Sequence, residues 1–300
     1  MIFTRLWKSL TFFEVFKNLL AGVGILWGIV EVASFFGGDS FTNTVRPYWW
    51  LFIVLGFCYT IYNCYPKKEF SFTIPNRDSK VTLHLKSSFD IEGSIIIPIN
   101  NKFKVNPGGH LGTSPSMLAQ FVRDFYDNKP DNLQYEIDKE LQLEKYSDIK
   151  ISSDTYKIGS VICLKAKGRQ FYLLANAVLN VQHRSQVTKE LLEQSLNELW
   201  IFLSEHAGKE KFILPVLGTG RGRITMTREE VIKEIVLSFI ASCSEKNYAD
   251  KLIISIHPKD ITEHGLNLGE IVKWTEAKVN YADFQKRIYN NKPGTTALGS

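Results

Sequence analysis

Two uninterrupted apolar runs near the N-terminus constrain this chain more than any other feature. Asn18 to Phe36, NLLAGVGILWGIVEVASFF, holds nineteen residues with one charge, Glu31, and Tyr48 to Tyr65, YWWLFIVLGFCYTIYNCY, holds eighteen with none. At about 1.5 Å per residue each approaches the ~20 residues that cross a bilayer. A cleavable signal peptide fits poorly. The first run begins well in from the N-terminus, no small-residue cleavage site follows it, and a second run comes soon after. The expectation is a two-helix transmembrane hairpin, spanning about 18–36 and 48–65 within a segment 1–69.

Basic flanks orient the hairpin. Arg5, Lys8 and Lys17 precede the first run and Lys67 and Lys68 follow the second, while the connector Gly37–Pro47 carries only Asp39 and Arg46. Excess Lys and Arg marks the cytoplasmic side, so both termini are expected in the cytoplasm. Tyr48, Trp49 and Trp50 at one end of the second run, and Tyr59, Tyr62 and Tyr65 at the other, suit two interfacial aromatic belts. Gly24 and Gly28 form a GxxxG pair, which is either an association face between helices or simply the glycine common in membrane helices. Glu31 either snorkels to the outer surface or, in an assembly of several copies, contributes to a carboxylate ring lining a pore.

Composition removes other classes. The 300 residues carry 36 Lys+Arg against 31 Asp+Glu, and a net charge of +5 is too weak to imply nucleic acid. At 44% hydrophobic and 22% charged the chain is neither disordered nor fibrous. Four cysteines (Cys58, Cys64, Cys163, Cys243) show no disulfide or metal spacing. The histidines His84, His110, His183, His206, His257 and His264 match no ligand pattern, and no nucleophile elbow is present. Asp124, Asp127 and Asp131 read as solvated helix-end charges. Neither a metal nor a cofactor is required.

From residue 70 the pattern becomes that of a folded domain, 70–285, ahead of a flexible tail, 286–300. Phe70–Ile74 and Val81–Leu85 alternate as half-buried strands do, and Ser94–Ile99 is a short apolar run suited to a fully buried strand. Pro115–Tyr126 has helical spacing behind a Ser114 cap. Val161–Leu164 and Phe171–Leu174 read as a hairpin turning at Gly168. Val187–Glu205 is an amphipathic helix, Phe212–Leu217 a buried strand, and Thr227-x-x-Glu230 a capping box opening a helix to about Cys243. Leu252–Ile256 is a last buried strand before a helical stretch near Leu268–Glu276. Asn128–Asp154 reads as a polar insertion. The alternation argues an α/β sandwich with a mixed sheet.

Three segments suit a ligand. Lys211–Ile232 is a strand, then Gly218-Thr219-Gly220-Arg221-Gly222-Arg223, then a capped helix. Glycines there let backbone N–H groups face a phosphate, helped by the arginines and the helix N-terminus. The spacing matches neither a P-loop nor GxGxxG, so the alternative is an exposed turn with solvated arginines. A second loop follows Ile99: Asn100-Asn101, then Gly108-Gly109-His110-Leu111-Gly112. The third is Phe89-Asp90-Ile91, where Asp90 is either a turn residue or an acceptor for a base amino group.

Together these segments resemble a macro domain, the ADP-ribose-binding α/β/α module, over roughly residues 70–280. Its Gly-Asp-Ile reads here as Phe89-Asp90-Ile91, its Asn-Ala-Ala-Asn strand end as Pro98-Ile99-Asn100-Asn101, and its late glycine loop as Gly218 to Gly222. The leading glycine is replaced by Phe89, and the triple-glycine run is reduced to Gly108-Gly109. By that resemblance Asp90 would hold the adenine amino group, Ile91 would offer its backbone, and Asn101 beside Asn100 would lie near the distal ribose. Gly109, His110, Leu111 and Gly112 would form one diphosphate wall, and Gly218, Thr219, Gly220, Arg221, Gly222 and Arg223 the other.

Joined to two membrane helices, such a domain resembles the membrane effectors of Thoeris-type bacterial anti-phage systems. The resemblance implies that a TIR-domain enzyme makes an ADP-ribose-derived signal and that the macro domain senses it. The chain would then self-associate and breach the bacterial inner membrane, as a sensor rather than an enzyme. The alternative is a membrane-tethered ADP-ribosyl hydrolase.

Overall fold

The computed structural model describes residues 12–63, 68–75, 77–109, 111, 116–218 and 224–290. The chain divides into two compact units, Met1–Lys67 and Lys68–Ser300.

In the first unit, α1 (Phe12–Val45) and α2 (Trp49–Asn63) are joined by a short 3-10 turn at Arg46–Tyr48. Gly38 breaks α1 with φ 63° and ψ −161°, a conformation open to glycine alone. Phe16–Gly38 is long and apolar enough to cross a bilayer. The second run is shorter as a helix than its sequence suggests. Its 15 helical residues reach about 22 Å, short of the ~30 Å hydrocarbon core, and Cys64 and Tyr65 lie outside the described residues.

Glycines set the closeness of the two helices, but not the expected ones. A Cβ on Gly22 would come 2.8 Å from Tyr59 Cδ1, and one on Gly56 2.6 Å from Val23 Cγ2. Gly24 and Gly28 have nothing within 4 Å, so the GxxxG pair lies away from the seam inside the hairpin. The Glu31 carboxylate accepts a 2.8 Å hydrogen bond from the Trp27 indole, one turn back on its own helix.

In the second unit the strands are β1 (Glu69–Thr73), β2 (Lys80–His84), β3 (Ser94–Asn100), β4 (Lys150–Ser152), β5 (Thr155–Tyr156), β6 (Val161–Ala166), β7 (Arg169–Leu179), β8 (Ser185–Gln186), β9 (Glu210–Pro215) and β10 (Ala249–Ser255). The helices are α3 (Met117–Phe125), α4 (Pro130–Glu140), α5 (Lys189–His206), α6 (Arg228–Glu245), α7 (Pro258–Thr262) and α8 (Leu268–Asn290). The main sheet runs β1-β2-β10-β9-β3-β7-β6, with β8 on β7. Its central strands, β2 to β7 in that order, are parallel, while β1 and β6 pair antiparallel at the edges. Helices α3 and α4 cover one face, through Phe121, Val122, Leu133 and Ile137 against Ile95, Ile97 and Phe171. On the other face Tyr172 meets Phe202 of α5 edge-on, and Trp200 of α5 meets Phe239 of α6. Fully buried Ile95, Ile96 and Ile97 explain why β3 reads as a continuous apolar run: both its faces are covered.

Three expectations need correction. The cap of α3 is Ser116, whose hydroxyl accepts from Ala119 N–H, while Ser114 and Pro115 lie outside the described residues. The polar stretch 128–154 is not a mere insertion, because Leu133, Ile137 and Tyr146 are core residues. Its apolar positions are few but fall on one side of α4. Finally, α8 continues to Asn290, into the stretch expected to be tail.

Candidate functional site

A missing donor opens the sheet between β3 and β9. Against β7, β3 pairs all along its length, from Ile95–Phe171 to Asn100–Ala177. Against β9 it pairs only at Ser94–Phe212 and Ile95–Ile213. Pro98 and Pro215 stand on the two strands beyond those pairs, and neither has an N–H for a ladder. Ile97 and Leu214 are fully buried, whereas Pro98, Pro215 and Val216 are half-buried beside the candidate crevice, the gap where the ladder ends. The chain reverses direction here. β3 leaves through α3 and α4 on one face, and β9 through α6 on the other, so the crevice lies at a topological switch point, outside the carboxyl ends of parallel strands.

The loop after β3 is built to be rigid. The Asn100 carboxamide accepts from Lys102 N–H (3.1 Å) and Lys104 N–H (3.2 Å) and donates to the Lys104 carbonyl (2.7 Å). This wraps the chain so tightly that Phe103 adopts φ 51° while fully buried. Gln134 of α4 secures the same loop, accepting from Val105 N–H and donating to the Phe103 carbonyl. Asn101 is a clip between strands: its main-chain N–H donates to the Ala177 carbonyl and its side-chain oxygen accepts from Leu179 N–H. Asn106 closes the glycine stretch by accepting from Leu111 N–H at 3.0 Å. Gly109 has φ +72° with open space beside it, and Leu111 is buried in the core. His110 and Gly112 lie outside the described residues.

Across the crevice, Gly218 has φ +71°, and its carbonyl accepts from Ile224 N–H at 3.2 Å, which draws the two ends of the second loop together. Thr219, Gly220, Arg221, Gly222 and Arg223, between those ends, lie outside the described residues. The helix that follows is anchored in two ways. Thr227 and Glu230 form the expected capping box, which commits part of the α6 N-terminus inside the protein and holds the Glu230 carboxyl below its usual pKa through bonds from Thr227. Arg228 Nε pairs at 2.5 Å with the nearly buried Asp260 of α7, tying the chain after β9 to the chain after β10.

Asp90 and Ile91 are placed elsewhere. They line a recess of about 270 Å³ with Phe89, Glu92, Gly93 and Arg169. Gly93 lies against the main chain of Lys211 at the start of β9, so this recess adjoins the N-terminal end of β3. The two asparagines stand at the opposite end, seven residues on, about 20 Å along an extended strand. What reaches the carboxyl edge from this connection is Ser88, whose hydroxyl bonds that of Ser255 at the end of β10. Nothing in the local sequence singles out Ser88 or Arg169. Arg169 donates to the carbonyls of Phe89, Ile91 and Gly93 and so shapes the connection around Asp90. Burial lowers its pKa, opposed by the charge of Glu92. Among the described residues no cluster of His, Cys, Asp and Glu could hold a metal ion.

The comparisons bear on this same region. Residues 81–257 match the family described as Thoeris protein ThsA, macro domain. No curated protein matches the chain. Among solved structures, a point variant of the Oceanobacillus iheyensis macrodomain is similar at 12% identity and TM-score 0.44, over 73% of this chain and 100% of that one. The same macrodomain with ADP is similar at 11% identity and TM-score 0.44, over 73% and 97%. A Trypanosoma brucei macrodomain in complex with ADP-ribose is similar at 10% identity and TM-score 0.42, over 66% and 68%. The family match covers more than half of the 300 residues, including both crevice strands and the loops that follow them. The chain therefore belongs to the Thoeris ThsA macro-domain family, with an α/β/α macro-domain fold on a mixed sheet and an apolar helix ahead of it.

Proposed function

We propose that the chain is a membrane-anchored sensor that binds an ADP-ribose-derived nucleotide in the crevice between β3 and β9 and acts on the bacterial inner membrane. The observation that carries this reading is the parting of two central parallel strands at Pro98 and Pro215, with a glycine-bearing loop on each lip, inside the region matched to the ThsA macro domain. A cleft of that kind offers backbone N–H groups and a carboxyl-edge position suited to a diphosphate. In this reading the signal comes from a TIR-domain enzyme upstream. Binding favours self-association of the chain, and the N-terminal hairpin then disrupts the membrane. Ligand shifts that equilibrium only by binding the assembled state more tightly than the resting one.

The hairpin reading rests on the length and composition of Phe16–Gly38 and on the packing of α2 against it through Gly22 and Gly56. Basic residues on both flanks support placing both termini in the cytoplasm. Binding without turnover is the favoured chemistry, because the Asn100 carboxamide and the Asn101 side-chain oxygen are engaged with main chain rather than poised at a reacting centre.

The test is calorimetric titration of the full chain in detergent with ADP-ribose, amino-acid conjugates of ADP-ribose and NAD, followed by product analysis. Saturable binding of one of them without product is the expected result. Release of ADP-ribose from a conjugate would make the chain a hydrolase, and failure to bind any of the three would overturn the reading.

A further inference from the structure

Among the described residues beside the crevice, Asn176 carries a side-chain donor that the fold does not use. Its side chain is 3% exposed, and its Nδ2 makes no hydrogen bond within the protein. A buried donor without an acceptor is destabilising, so its retention calls for an account.

The backbone shows where this amide stands. Ile99 pairs with Ala175 and Asn100 with Ala177, so Asn176 is the extra residue of a bulge in β7, opposite the last turn of pairing on β3. Bulges re-aim side chains and recur beside functional sites. Alternation along β7 puts Tyr172, Leu174 and Asn176 on one face, and Tyr172 identifies it as the α5 face by meeting Phe202 and Phe212. On that face Leu174 is the register partner of Pro98, the half-buried lip of the crevice. Asn176 therefore stands one pleat, about 7 Å, beyond Pro98 toward the carboxyl edge. The neighbouring asparagines are engaged, Asn100 through its own loop and Asn101 through Leu179.

We propose that the Asn176 side-chain amide is a ligand-reading donor, giving a hydrogen bond to a hydroxyl or phosphate oxygen of a nucleotide sugar held in the crevice. The inference rests on the proposed reading of the crevice as a nucleotide-sugar site and adds a specificity-determining residue to it. A neutral donor in a dry position rejects a ligand lacking that oxygen, because the amide is then left unmet in the complex.

The experiment is calorimetric titration of the full detergent-solubilised chain, wild type against Asn176→Leu, Asn176→Asp and Ser160→Ala, with ADP-ribose, ADP and ribose 5-phosphate. Ser160 is the control, because its hydroxyl is likewise buried and unpartnered but lies in register with Ala175, on the α3–α4 face. Asn176→Leu is expected to weaken ADP-ribose binding about ten- to a hundredfold without lowering the thermal unfolding midpoint, since it removes an unmet polar group. Asn176→Asp, which keeps the shape and loses the donor, is expected to bind still more weakly, and Ser160→Ala to bind like wild type. Loss confined to ADP-ribose and ribose 5-phosphate assigns the contact to the sugar, and loss shared with ADP assigns it to the diphosphate. Should Asn176→Leu fail to unfold cooperatively, the Asn176→Asp titration decides. Wild-type affinity in either folded Asn176 variant overturns the inference and makes the amide a purely internal group. A wild-type chain that binds none of the three ligands overturns the crevice reading itself, and the inference with it.

Discussion

The Arg169 guanidinium donates through Nη1 to the main-chain carbonyl of Phe89 at 2.9 Å, across 80 positions of sequence. Nε reaches the Gly93 carbonyl at 2.8 Å and Nη2 that of Ile91, so one half-buried cation organises the connection that carries Asp90 into β3. A planar fork with fixed donors suits three fixed acceptors, as a lysine ammonium does not.

Arg169→Ala is therefore expected to destabilise the folded domain by about 2–3 kcal/mol, through charge-assisted bonds lost and carbonyls left unmet. Arg169→Lys should recover less than half of that. Urea denaturation followed by tryptophan fluorescence measures both, and equal stabilities for wild type and the alanine variant would show that water replaces the guanidinium without cost.

The Asn100 turn gives a second expectation. Asn100→Ala removes two accepted bonds and one donated bond that shape the Lys102–Lys104 turn. A cost of about 2–3 kcal/mol is expected, together with weaker ligand binding. Asn100→Asp keeps the two accepted bonds and should cost clearly less. Equal losses for the two variants would mean that the donated bond to the Lys104 carbonyl dominates.

In the hairpin, the glycines that matter for packing are separable from those that do not. Gly56→Leu drives a side chain into Val23 and should lower the midpoint of SDS-induced unfolding of the detergent-solubilised chain. Gly28→Leu enters open space and should leave that midpoint unchanged. A self-association defect seen for Gly28→Leu alone would assign its face to contacts between copies.

Cys243 supplies a pH dependence. Burial raises its thiol from an ordinary 9.0 to about 11, with a hydrogen bond from Ser79 and the charge of Arg77 opposing. The folded state thus prefers the protonated thiol. Its contribution is complete below pH 9 and lost as pH rises through 11, amounting to about 2–3 kcal/mol. Denaturation of wild type and Cys243→Ala from pH 8 to 11.5 should show a steeper alkaline decline in wild type. Parallel pH profiles would place the thiol's titration at its unfolded value.

Local pattern determined much of this protein from sequence alone. Apolar length announced the N-terminal helix, two-residue alternation the strands β1 and β2 (although β2, with Thr82 fully buried, is covered on both faces rather than half-buried), continuous apolar runs the buried β3 and β10, and Thr227-x-x-Glu230 the start of α6. These signals are legible because each depends on residues within one or two turns of each other. The mixed sheet followed from their order.

Tertiary structure alone brought the candidate site together. Pro98 and Pro215 are 117 positions apart, and only their arrival on neighbouring strands turns two missing N–H groups into a gap in the sheet. Asp90 stays at the N-terminal end of β3, a strand's length from the asparagines at the carboxyl end, because Arg169 and Gly93 hold the connection there. Asn101 became a clip and Asn176 an unmet donor for the same reason: what a polar side chain can do is set by which groups meet it, and those groups come from distant sequence.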